Sequence, residues 1–183
     1  MEALKAIKER RSVREFLDKK VEEDKISKIL EAASFAPSSG NVQNWEFVIV
    51  KENKELIAKA CKQDFLLDAP VLIIVCNIKN KINILFGDKG REFYSIQNCA
   101  LAIENILIAA TALGLGSCFT AVFDETMIKR ALNIPDDISI DAVIAIGYGK
   151  EKNEAKRISL KLKTFFESYG KRKKQWIFPL FRK

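Results

Sequence analysis

The feature that most constrains the fold of this chain is a predicted helix over residues 94–113 that is apolar on more than one side. Its main apolar stripe recurs at helical spacing and comprises Ile96, Ala100, Ile103, Leu107 and Ala110. A second stripe carries Leu101 and Ile108, so the helix must be covered on two sides. A chain of 183 residues has room for one domain with a sizeable core, and a partner subunit could supply the second cover.

The remaining apolar patterns change between helical and strand periodicity along the chain. Helices are predicted over residues 2–10 and 22–36, from Asn53 to Cys61 and from Asp124 to Asn133, with Asn53 and Asp124 as N-caps. Strands are predicted at Trp45–Val50, Val71–Cys76, Ser117–Val122 and Ile140–Ile146. Gly114 and Gly116 end the longest helix, and the polar stretch around Gly87 and Gly90 receives no element. We therefore predict an α+β fold in which helices flank a central antiparallel or mixed sheet.

The residue types present exclude several kinds of chemistry. The chain has no histidine, which removes the commonest metal ligand and the commonest acid–base group at neutral pH. The four cysteines lack CxxC spacing and sit among apolar neighbours, at Cys61, Cys76, Cys99 and Cys118. We therefore predict no metal site and no disulfide framework, and we expect the cysteines to be small buried hydrophobes in a reducing compartment.

The ends and the charge of the chain bear on its location and partners. The N-terminus has no signal-peptide pattern and no apolar run reaches about 18 residues, so we expect a soluble cytoplasmic protein without integral membrane contact. The net charge of +7 allows a nucleic-acid partner or an ordinary basic surface. Nucleic-acid-binding domains usually add a recognisable module with interleaved aromatic residues. The sequence contains none, so we predict no nucleic-acid partner.

A compact basic cluster follows the first predicted helix, with the sequence Arg10-Arg11-Ser12-Val13-Arg14-Glu15-Phe16. Such a cluster can be a solvated basic surface, favoured at a helix C-terminus by the helix dipole. It can also bind phosphate, because guanidiniums grip phosphate through two hydrogen bonds and keep their charge.

Together with later segments in the same order, this cluster resembles the nitroreductase family of flavoproteins. The later segments are Ala36-Pro37-Ser38-Ser39-Gly40-Asn41-Val42-Gln43-Asn44-Trp45, Asp68-Ala69-Pro70, the run from Ala109 to Phe119, Ile146-Gly147-Tyr148-Gly149 and Lys156-Arg157. The resemblance implies a dimeric α+β nitroreductase-like fold, with residues 1–160 as an FMN-binding domain. We expect the basic and aromatic extension, residues 161–183, to pack on the partner subunit; contact with a membrane surface is the alternative.

The resemblance also implies how the basic cluster would bind the flavin. Arg10 and Ser12 would contact the phosphate and ribityl end of FMN, with Arg11 beside them. Lys156 or Arg157 would close on the phosphate. Arg14 would lie near flavin N1 and O2, where a fixed cation favours the negative charge that reduction brings.

Two further segments complete the implied site. By the same resemblance, a loop would reach the flavin of the partner subunit through Pro37, Ser38, Ser39, Asn41 and Gln43, so that each site would need two chains. The alternative for this loop is a simple helix-to-strand turn. The backbone of Thr120 and Ala121 would lie near flavin N5.

Several positions depart from the family pattern. Asn44 stands where the family often has proline, and Asn98 stands where the long helix often carries aspartate. Thr120-Ala121 replaces a frequent Ile-Gly pair. Gln63 is only a loose match to flavin contacts of larger members.

The function implied is that of an NAD(P)H-dependent FMN oxidoreductase. NADH or NADPH would reduce the flavin and leave, and a small electron-poor acceptor, such as a nitroaromatic or a quinone, would take its place. This ping-pong scheme needs no histidine, because the cofactor carries the chemistry. The departures motivate an alternative, a flavin-binding or sensor protein with little turnover.

Overall fold

The computed structural model describes residues 2–150 and 157–172. Its helices are α1 (Ala3–Glu9), α2 (Glu23–Ser34), α3 (Glu55–Cys61), α4 (Phe65–Asp68), α5 (Lys79–Lys89), α6 (Ser95–Ala112), α7 (Glu125–Leu132) and α8 (Leu160–Lys163), with a 3₁₀ turn at Ser39–Asn41 and a π-helical turn at Gly90–Tyr94. Its strands are β1 (Trp45–Val50), β2 (Val71–Asn77), β3 (Gly116–Thr120) and β4 (Ser139–Gly147). Lys156 and the extension beyond residue 172 lie outside the described residues.

The four strands form one antiparallel sheet in the order β1-β2-β4-β3. Central strand β2 is buried at every residue, as its unbroken apolar run requires. It pairs with β4 from Val71 opposite Ile146 to Asn77 opposite Ser139, with an irregularity between Val75 and Cys76. The predicted α+β fold with a central sheet is confirmed, and the sheet is antiparallel.

Helices cover both faces of this sheet. On one face, α2 and α6 enclose a core that includes Ile29, Ile106 and Ile144. On the other face, α3, α4 and α7 enclose a core around Ile57 and Leu66. Helix α1 packs against α6, so the N-terminal segment begins on the first face.

Helix α6 has the predicted position but only part of the predicted inner side. Its buried apolar residues are Cys99, Ala102, Ile103, Ile106, Leu107 and Ala110. The predicted main stripe was wrong at Ala100 and at Ile96, which are exposed. Because twelve of the eighteen residues of α6 are apolar, periodicity alone could not resolve which side faces the sheet. Ile96 and Leu101 are apolar side chains of α6 that stay exposed among the residues that the structure describes.

The stretch Lys79–Ala112 contains a window that is long and apolar enough to cross a membrane by composition alone. A core helix passes the same test. Because α6 packs its buried side against the sheet, we interpret this stretch as a core helix.

Two local predictions failed for identifiable reasons. The polar stretch around Gly87 and Gly90 is helical on both sides of Gly87, as α5 and the π-helical turn, and Gly87, with a φ of 56°, breaks α5 between them. Its periodicity is weak because Ile82 is the one buried residue of α5. Asn53 does not cap α3, which begins after Lys54 without a side-chain cap. The predicted cap of α7 is confirmed, since the Met127 N–H donates to Asp124 Oδ1 at 3.0 Å.

All four cysteines are buried and unpaired, as predicted. Burial raises the pKa of the Cys61 and Cys76 thiols to about 11. Thiols that stay protonated at neutral pH are poor nucleophiles, so these side chains act as small apolar core residues.

The chain divides into two compact units, Met1–Asn153 and Glu154–Lys183. Within the second, the Phe165 and Tyr169 rings lie 4.7 Å apart, and the Arg172 guanidinium lies 5.1 Å from the Phe165 ring. The predicted boundary between residues 160 and 161, and the packing of the extension on a partner, stay predictions.

Candidate functional site

The basic cluster lies on the outer edge of the sheet, beside β3. Ser12 forms an isolated parallel bridge with Ser117, and the Val13 N–H donates to the Ser117 carbonyl at 2.9 Å. Val13 and Phe16 are buried in the core of the second face. Because side chains alternate along an extended segment, burial of Val13 turns Ser12 and Arg14 to solvent, where both are exposed.

Glycines allow this close approach of the segment to the sheet. A Cβ on Gly116 would come within 2.8 Å of Val13 Cγ2, and one on Gly149 within 2.9 Å of Val13 Cγ1. Gly114, with a φ of 77°, follows the end of α6. The helix-stop role predicted for both glycines therefore belongs to Gly114, whereas Gly116 admits the N-terminal segment to the edge of β3.

The three guanidiniums of the cluster have different surroundings. Arg11 Nη1 donates to the carbonyls of Lys8 at 2.5 Å and Arg10 at 2.7 Å, and so closes the C-terminal end of α1. Neither Arg10 nor Arg14 forms an ion pair with any residue in the part of the chain that the structure describes. Their charges are therefore available to an anionic ligand.

Arg10 and Arg14 both lie close enough to Cys118 to influence its thiol. Burial raises the pKa of Cys118, and the positive charges of Arg14 and Arg10 act in the opposite direction. The Arg14 guanidinium also lies 6.0 Å from the centre of the Phe65 ring. The two cations thus flank the first half of β3. We call this region, Arg10–Arg14 with Gly116–Cys118, the cationic corner.

The far end of β3 brings in one residue that the sequence only suggested. Thr120 is buried and Ala121 is exposed. Thr120 Oγ1 lies at 3.5 Å from Gln63 Oε1, to which it donates. Gln63 is two residues from Phe65, the ring beside Arg14. The loose sequence match at Gln63 therefore lies on the same edge of the sheet as the predicted flavin contacts.

The segment from Pro37 to Gln43 lies immediately before β1. The Gln43 N–H donates to Ser38 Oγ and Gln43 Nε2 donates to Asn41 Oδ1, both at 3.1 Å. Asn41 and Gln43 have φ values of 54° and 48°, a left-handed conformation that is uncommon for residues other than glycine. The Ser39 N–H donates to Asn98 Oδ1 on α6 at 2.9 Å. The loop is therefore held both by its own side chains and by α6.

A cleft of about 520 Å³ opens between this loop and α6. Its lining residues are Pro37, Ser38, Ser39, Gln97, Asn98, Ala100 and Leu101. Three of these residues are predicted flavin contacts, and the cleft combines hydroxyls and amides with apolar groups, as small-molecule sites do.

Three buried asparagines lie behind the loop in a line. Asn98 Nδ2 donates to Asn44 Oδ1 at 2.7 Å, and Asn44 Nδ2 donates to Asn77 Oδ1 at 2.8 Å. Asn77 Nδ2 then donates to Asp141 Oδ2 at 2.9 Å. Burial raises the pKa of Asp141, while its bonds with Cys99 and Asn77 lower it. We call the loop Pro37–Gln43, together with these three asparagines and Asp141, the amide corner.

Sequence patterns gave no indication that Asn77 and Asp141 belong to this group. Asn44 and Asn98 stood out, but only as separate departures from a family pattern. The structure joins these two departures directly, through the hydrogen bond between their side chains.

Within one chain the two corners are far apart. The cationic corner lies at the β3 edge, where Gly116 pairs with Gly147. The amide corner lies at the β1 edge, at the end of the sheet where Asn77 pairs with Ser139. At about 3.3 Å per residue and about 4.8 Å between strands, this diagonal spans roughly 30 Å. Helix α6 connects them, with Asn98 in its first half and β3 following its end.

The two phosphate contacts predicted in the tail are Lys156 and Arg157. Lys156 lies outside the described residues, and Arg157 belongs to the second unit. Their roles stay predictions.

Residues 7–62 and 54–148 match the model of the Nitroreductase family. A Methanothermobacter thermautotrophicus protein assigned as NADH dehydrogenase/NAD(P)H nitroreductase is 37% identical over 159 residues, which cover 82% of this chain and 79% of that protein. An Archaeoglobus fulgidus protein with the same assignment is 35% identical over 165 residues, which cover 84% and 88%.

A solved structure gives the same result for the fold. It is that of a Desulfovibrio desulfuricans protein assigned as a nitroreductase, in complex with FMN. Its TM-score with this chain is 0.83 at 26% sequence identity, and the match covers 92% of this chain and 98% of that one.

Proposed function

This chain belongs to the nitroreductase family, and from that premise we propose that it is a homodimeric FMN-dependent oxidoreductase. It would pass electrons from NADH or NADPH to a small electron-poor acceptor, such as a nitroaromatic or a quinone. The FMN of the Desulfovibrio relative's complex and the NAD(P)H nitroreductase assignment of the two archaeal relatives support this cofactor and this donor. The observation that carries the proposal is the separation of the cationic corner from the amide corner within one chain.

The donor set of the cationic corner fits FMN. Arg10 and Arg14 are cations without an ion-pair partner in the described ranges, and Ser12 presents an exposed hydroxyl between them. This combination suits a phosphate and a ribityl chain. We propose that Arg10 and Ser12 hold that end of FMN, with Arg11 keeping the helix end in place beside them.

The distance between the corners supports a site shared by two chains. A diagonal of roughly 30 Å is too long for one flavin to touch both corners of the same chain. In a two-fold dimer, each surface patch faces the same patch of the partner. If α6 packs against α6 in antiparallel orientation, the amide corner of one chain meets the cationic corner of the other.

Exposed apolar side chains support the same interface. Leu4 and Ile7 on α1, and Ile96 and Leu101 on α6, are all exposed, and α1 packs on α6. Monomeric proteins rarely leave apolar groups contiguous on one face. We propose that the partner subunit covers this face and supplies Pro37, Ser38, Ser39, Asn41 and Gln43 to the flavin.

When bound, FMN supplies the transfer of hydride and electrons between the nicotinamide and the acceptor. Arg14 would hold a fixed positive charge beside flavin N1 and O2 and so favour the reduced state. Thr120 and Ala121 would present their backbone near N5. Because the chain has no histidine, we propose that its residues bind, orient and charge-stabilise, and that donor and acceptor use one site in turn.

The test combines flavin binding with turnover. Purified protein should be yellow, should release FMN on denaturation, and should rebind FMN with about one flavin per chain. Anaerobic addition of NADH or NADPH should bleach the bound flavin, and a panel of nitroaromatics and quinones should restore its colour. Initial rates at several fixed donor concentrations should give parallel double-reciprocal lines.

The outcomes separate this function from the alternatives. A colourless protein that cannot be loaded with FMN contradicts the proposal. A protein that binds FMN but is not reduced by either nicotinamide favours the flavin-binding or sensor role with little turnover. Intersecting double-reciprocal lines would leave the oxidoreductase but remove the ping-pong order.

A further inference from the structure

Behind the loop, the three asparagines form a continuous chain of hydrogen bonds between a backbone N–H and a carboxylate. At one end is the N–H of Ser39, and at the other is Asp141 Oδ2. Asn44, Asn77 and Asn98 lie between them and are completely buried, with at most 1% of their surface exposed. The chain draws on the loop, α6, β2 and β4, which are remote from one another in sequence.

The two ends of this chain have opposite and fixed polarity. A backbone N–H can only donate, and Asp141 Oδ2 accepts from Asn77 Nδ2, whereas each amide side chain can do both. Three amides placed between such ends satisfy every contact in one orientation alone. The structure has that orientation: each amide accepts on the side of the loop and donates on the side of Asp141.

Turning one amide around would oppose two acceptors or two donors in a buried place. An unpaired buried polar group costs about 1–3 kcal/mol. The mismatch of donors and acceptors would then reach the neighbouring amides, because the orientation of each amide depends on the next one. The carboxylate of Asp141 therefore determines which atom Asn98 offers to the loop, although three amides separate Asp141 from Ser39.

The first turn of α6 adds side branches that hold the middle of the line. Asn44 Nδ2 also donates to the Ser95 carbonyl at 3.2 Å, and Asn77 Nδ2 donates to Ser95 Oγ at 3.2 Å. Ser95 Oγ in turn donates to the Arg91 carbonyl at 2.6 Å. Asn44 and Asn77 thus have few other arrangements open to them.

The Ser39 end of this line of hydrogen bonds lies at the candidate site. Ser39 and Asn98 both line the cleft, and the adjacent Asn41 and Gln43 hold left-handed conformations that need external support. An apolar core at the same place would stabilise the fold as well or better. A buried polar line that ends on this loop is better explained by the need to set the position of the loop.

We propose that Asp141, acting through Asn77, Asn44 and Asn98, is a positioning residue that sets the Pro37–Asn41 loop for flavin contact. This inference rests on the proposed function, because it assumes that the loop meets FMN in the partner's site.

The test reverses the polarity of the line. In Asn98→Asp, the new carboxylate still accepts from Ser39 but can no longer donate to Asn44. The side chains of Asn44 and Asn77 can rotate by 180° so that Asn44 donates to the new carboxylate, but Asn77 Oδ1 then faces the Asp141 carboxylate. Adding Asp141→Asn places an N–H donor opposite Asn77 Oδ1.

The single Asn98→Asp change should weaken FMN binding about tenfold. The double variant Asn98→Asp/Asp141→Asn should recover to within about threefold of wild type, with the lost Asn44 bond to Ser95 preventing full recovery.

The readouts are the FMN dissociation constant from flavin fluorescence and the absorption spectrum of the bound flavin. A merely structural role would change thermal stability but would not shift the flavin spectrum, which we expect to change in Asn98→Asp and to return in the double variant. Asn105→Asp is the matched control, because Asn105 lies on α6 and donates to the Ala32 carbonyl outside the line. Adding Asp141→Asn to Asn105→Asp should not strengthen FMN binding.

The outcomes distinguish this inference from the function beneath it. The dissociation constants of Asn98→Asp and Asp141→Asn alone predict, if the two changes act independently, the product of their fold-losses in the double variant. A double variant that binds FMN that weakly, or more weakly, overturns the proposed coupling between Asp141 and Asn98. If Asn98→Asp does not fold, Ser39→Pro removes the donating N–H at the first position of the 3₁₀ turn, where proline fits, and Ser39→Ala, which removes the hydroxyl but keeps the N–H, is its control. FMN binding as in wild type would then overturn the inference. A wild-type protein that does not bind FMN overturns both this inference and the proposed function.

Discussion

The cationic corner and the amide corner fix their functional groups in opposite ways. At the cationic corner, the side chains predicted to touch the ligand include the half-buried Arg10 and the exposed Ser12 and Arg14, and backbone pairing with β3 holds this segment. At the amide corner, the supporting side chains are neutral and buried, and the nearest charge in their line is at Asp141. One region therefore presents charge, whereas the other shapes a loop.

The difference teaches which property each region can contribute. Fixed guanidiniums supply affinity for an anion whether or not the surrounding loop is well ordered. A loop held by a line of amides supplies position, and its contribution is lost when any link is broken. If the two corners of different chains form one site, changes at the first should alter charge-dependent properties, and changes at the second should alter geometry.

The largest effect should come from separating the two chains. Leu101→Arg places a charge on α6 at a position that is 44% exposed among the described residues. Burying that charge in an interface is unfavourable, so we expect a monomer whose FMN affinity falls more than about hundredfold. Gel filtration with light scattering, followed by FMN titration, measures both.

Leu56→Arg is the matched control for this change. Leu56 is 51% exposed on α3, which packs on the other face of the sheet. It should remain a dimer with normal FMN affinity. A Leu101→Arg monomer that binds FMN as tightly as wild type would show that one chain holds a whole site.

The next largest effect should be the loss of a phosphate contact at the cationic corner. Arg10→Ala should weaken FMN binding roughly 10- to 100-fold, since a charge-assisted hydrogen bond contributes about 1.5–3 kcal/mol. The loss should be greatest at low salt, because salt screens the same interaction. Arg130→Ala, an exposed guanidinium on α7, should leave the affinity unchanged. An unaltered dissociation constant in Arg10→Ala counts against the phosphate assignment.

A smaller effect should separate Arg14 from Arg10. Arg14→Ala should lower the two-electron reduction potential of the bound flavin by roughly 30 mV, which corresponds to about 1.4 kcal/mol. Affinity for oxidised FMN should change less than in Arg10→Ala, because the charge of Arg14 is predicted to act on the reduced ring. Potentiometric titration against a reference dye gives the value. A potential equal to wild type would remove Arg14 from the neighbourhood of N1 and O2.

The smallest effect should be a pH dependence that belongs to the amide corner. Burial raises the pKa of Asp141, so the folded protein holds this proton to a higher pH than the unfolded chain does. Stability from this group is therefore greatest below the ordinary aspartate pKa and falls as pH rises through the raised value. Asn77, Cys99 and Lys79 favour the charged form, and Glu125 opposes it. The free energy of unfolding should fall with pH more steeply in wild type than in Asp141→Asn; equal slopes would contradict the shift.

The sequence predicted the cationic corner far better than the amide corner. Arg10–Arg14 is contiguous, and its residue types carry a chemistry that does not depend on distant partners. β1 was predicted with its observed ends, because apolar and aromatic residues mark it locally. The backbone of the cluster also needs Gly116 and Gly149 beside Val13, and this long-range contact could not be derived from local patterns.

The amide corner could not be predicted because its members depend on tertiary pairing. Asn77 ends a buried strand, and Asp141 lies within another, so neither belongs to a polar motif. Their contact follows from the β2–β4 register and its irregularity at Val75. Asn44 and Asn98 were visible as unusual residues, but nothing local indicates that they bond to each other.

The most direct test of the shared site is complementation between two defective chains. Arg10→Ala damages the cationic corner, and Ser39→Trp fills the cleft at the amide corner, where Ser39 lies in the wall. In a mixed dimer, one site would combine both defects, and the other would combine two intact corners. Separately tagged chains, co-expressed and purified through both tags, should bind one FMN per dimer with wild-type affinity, although each parent dimer binds weakly. A mixed dimer with no wild-type site would show that the two corners do not meet across the interface.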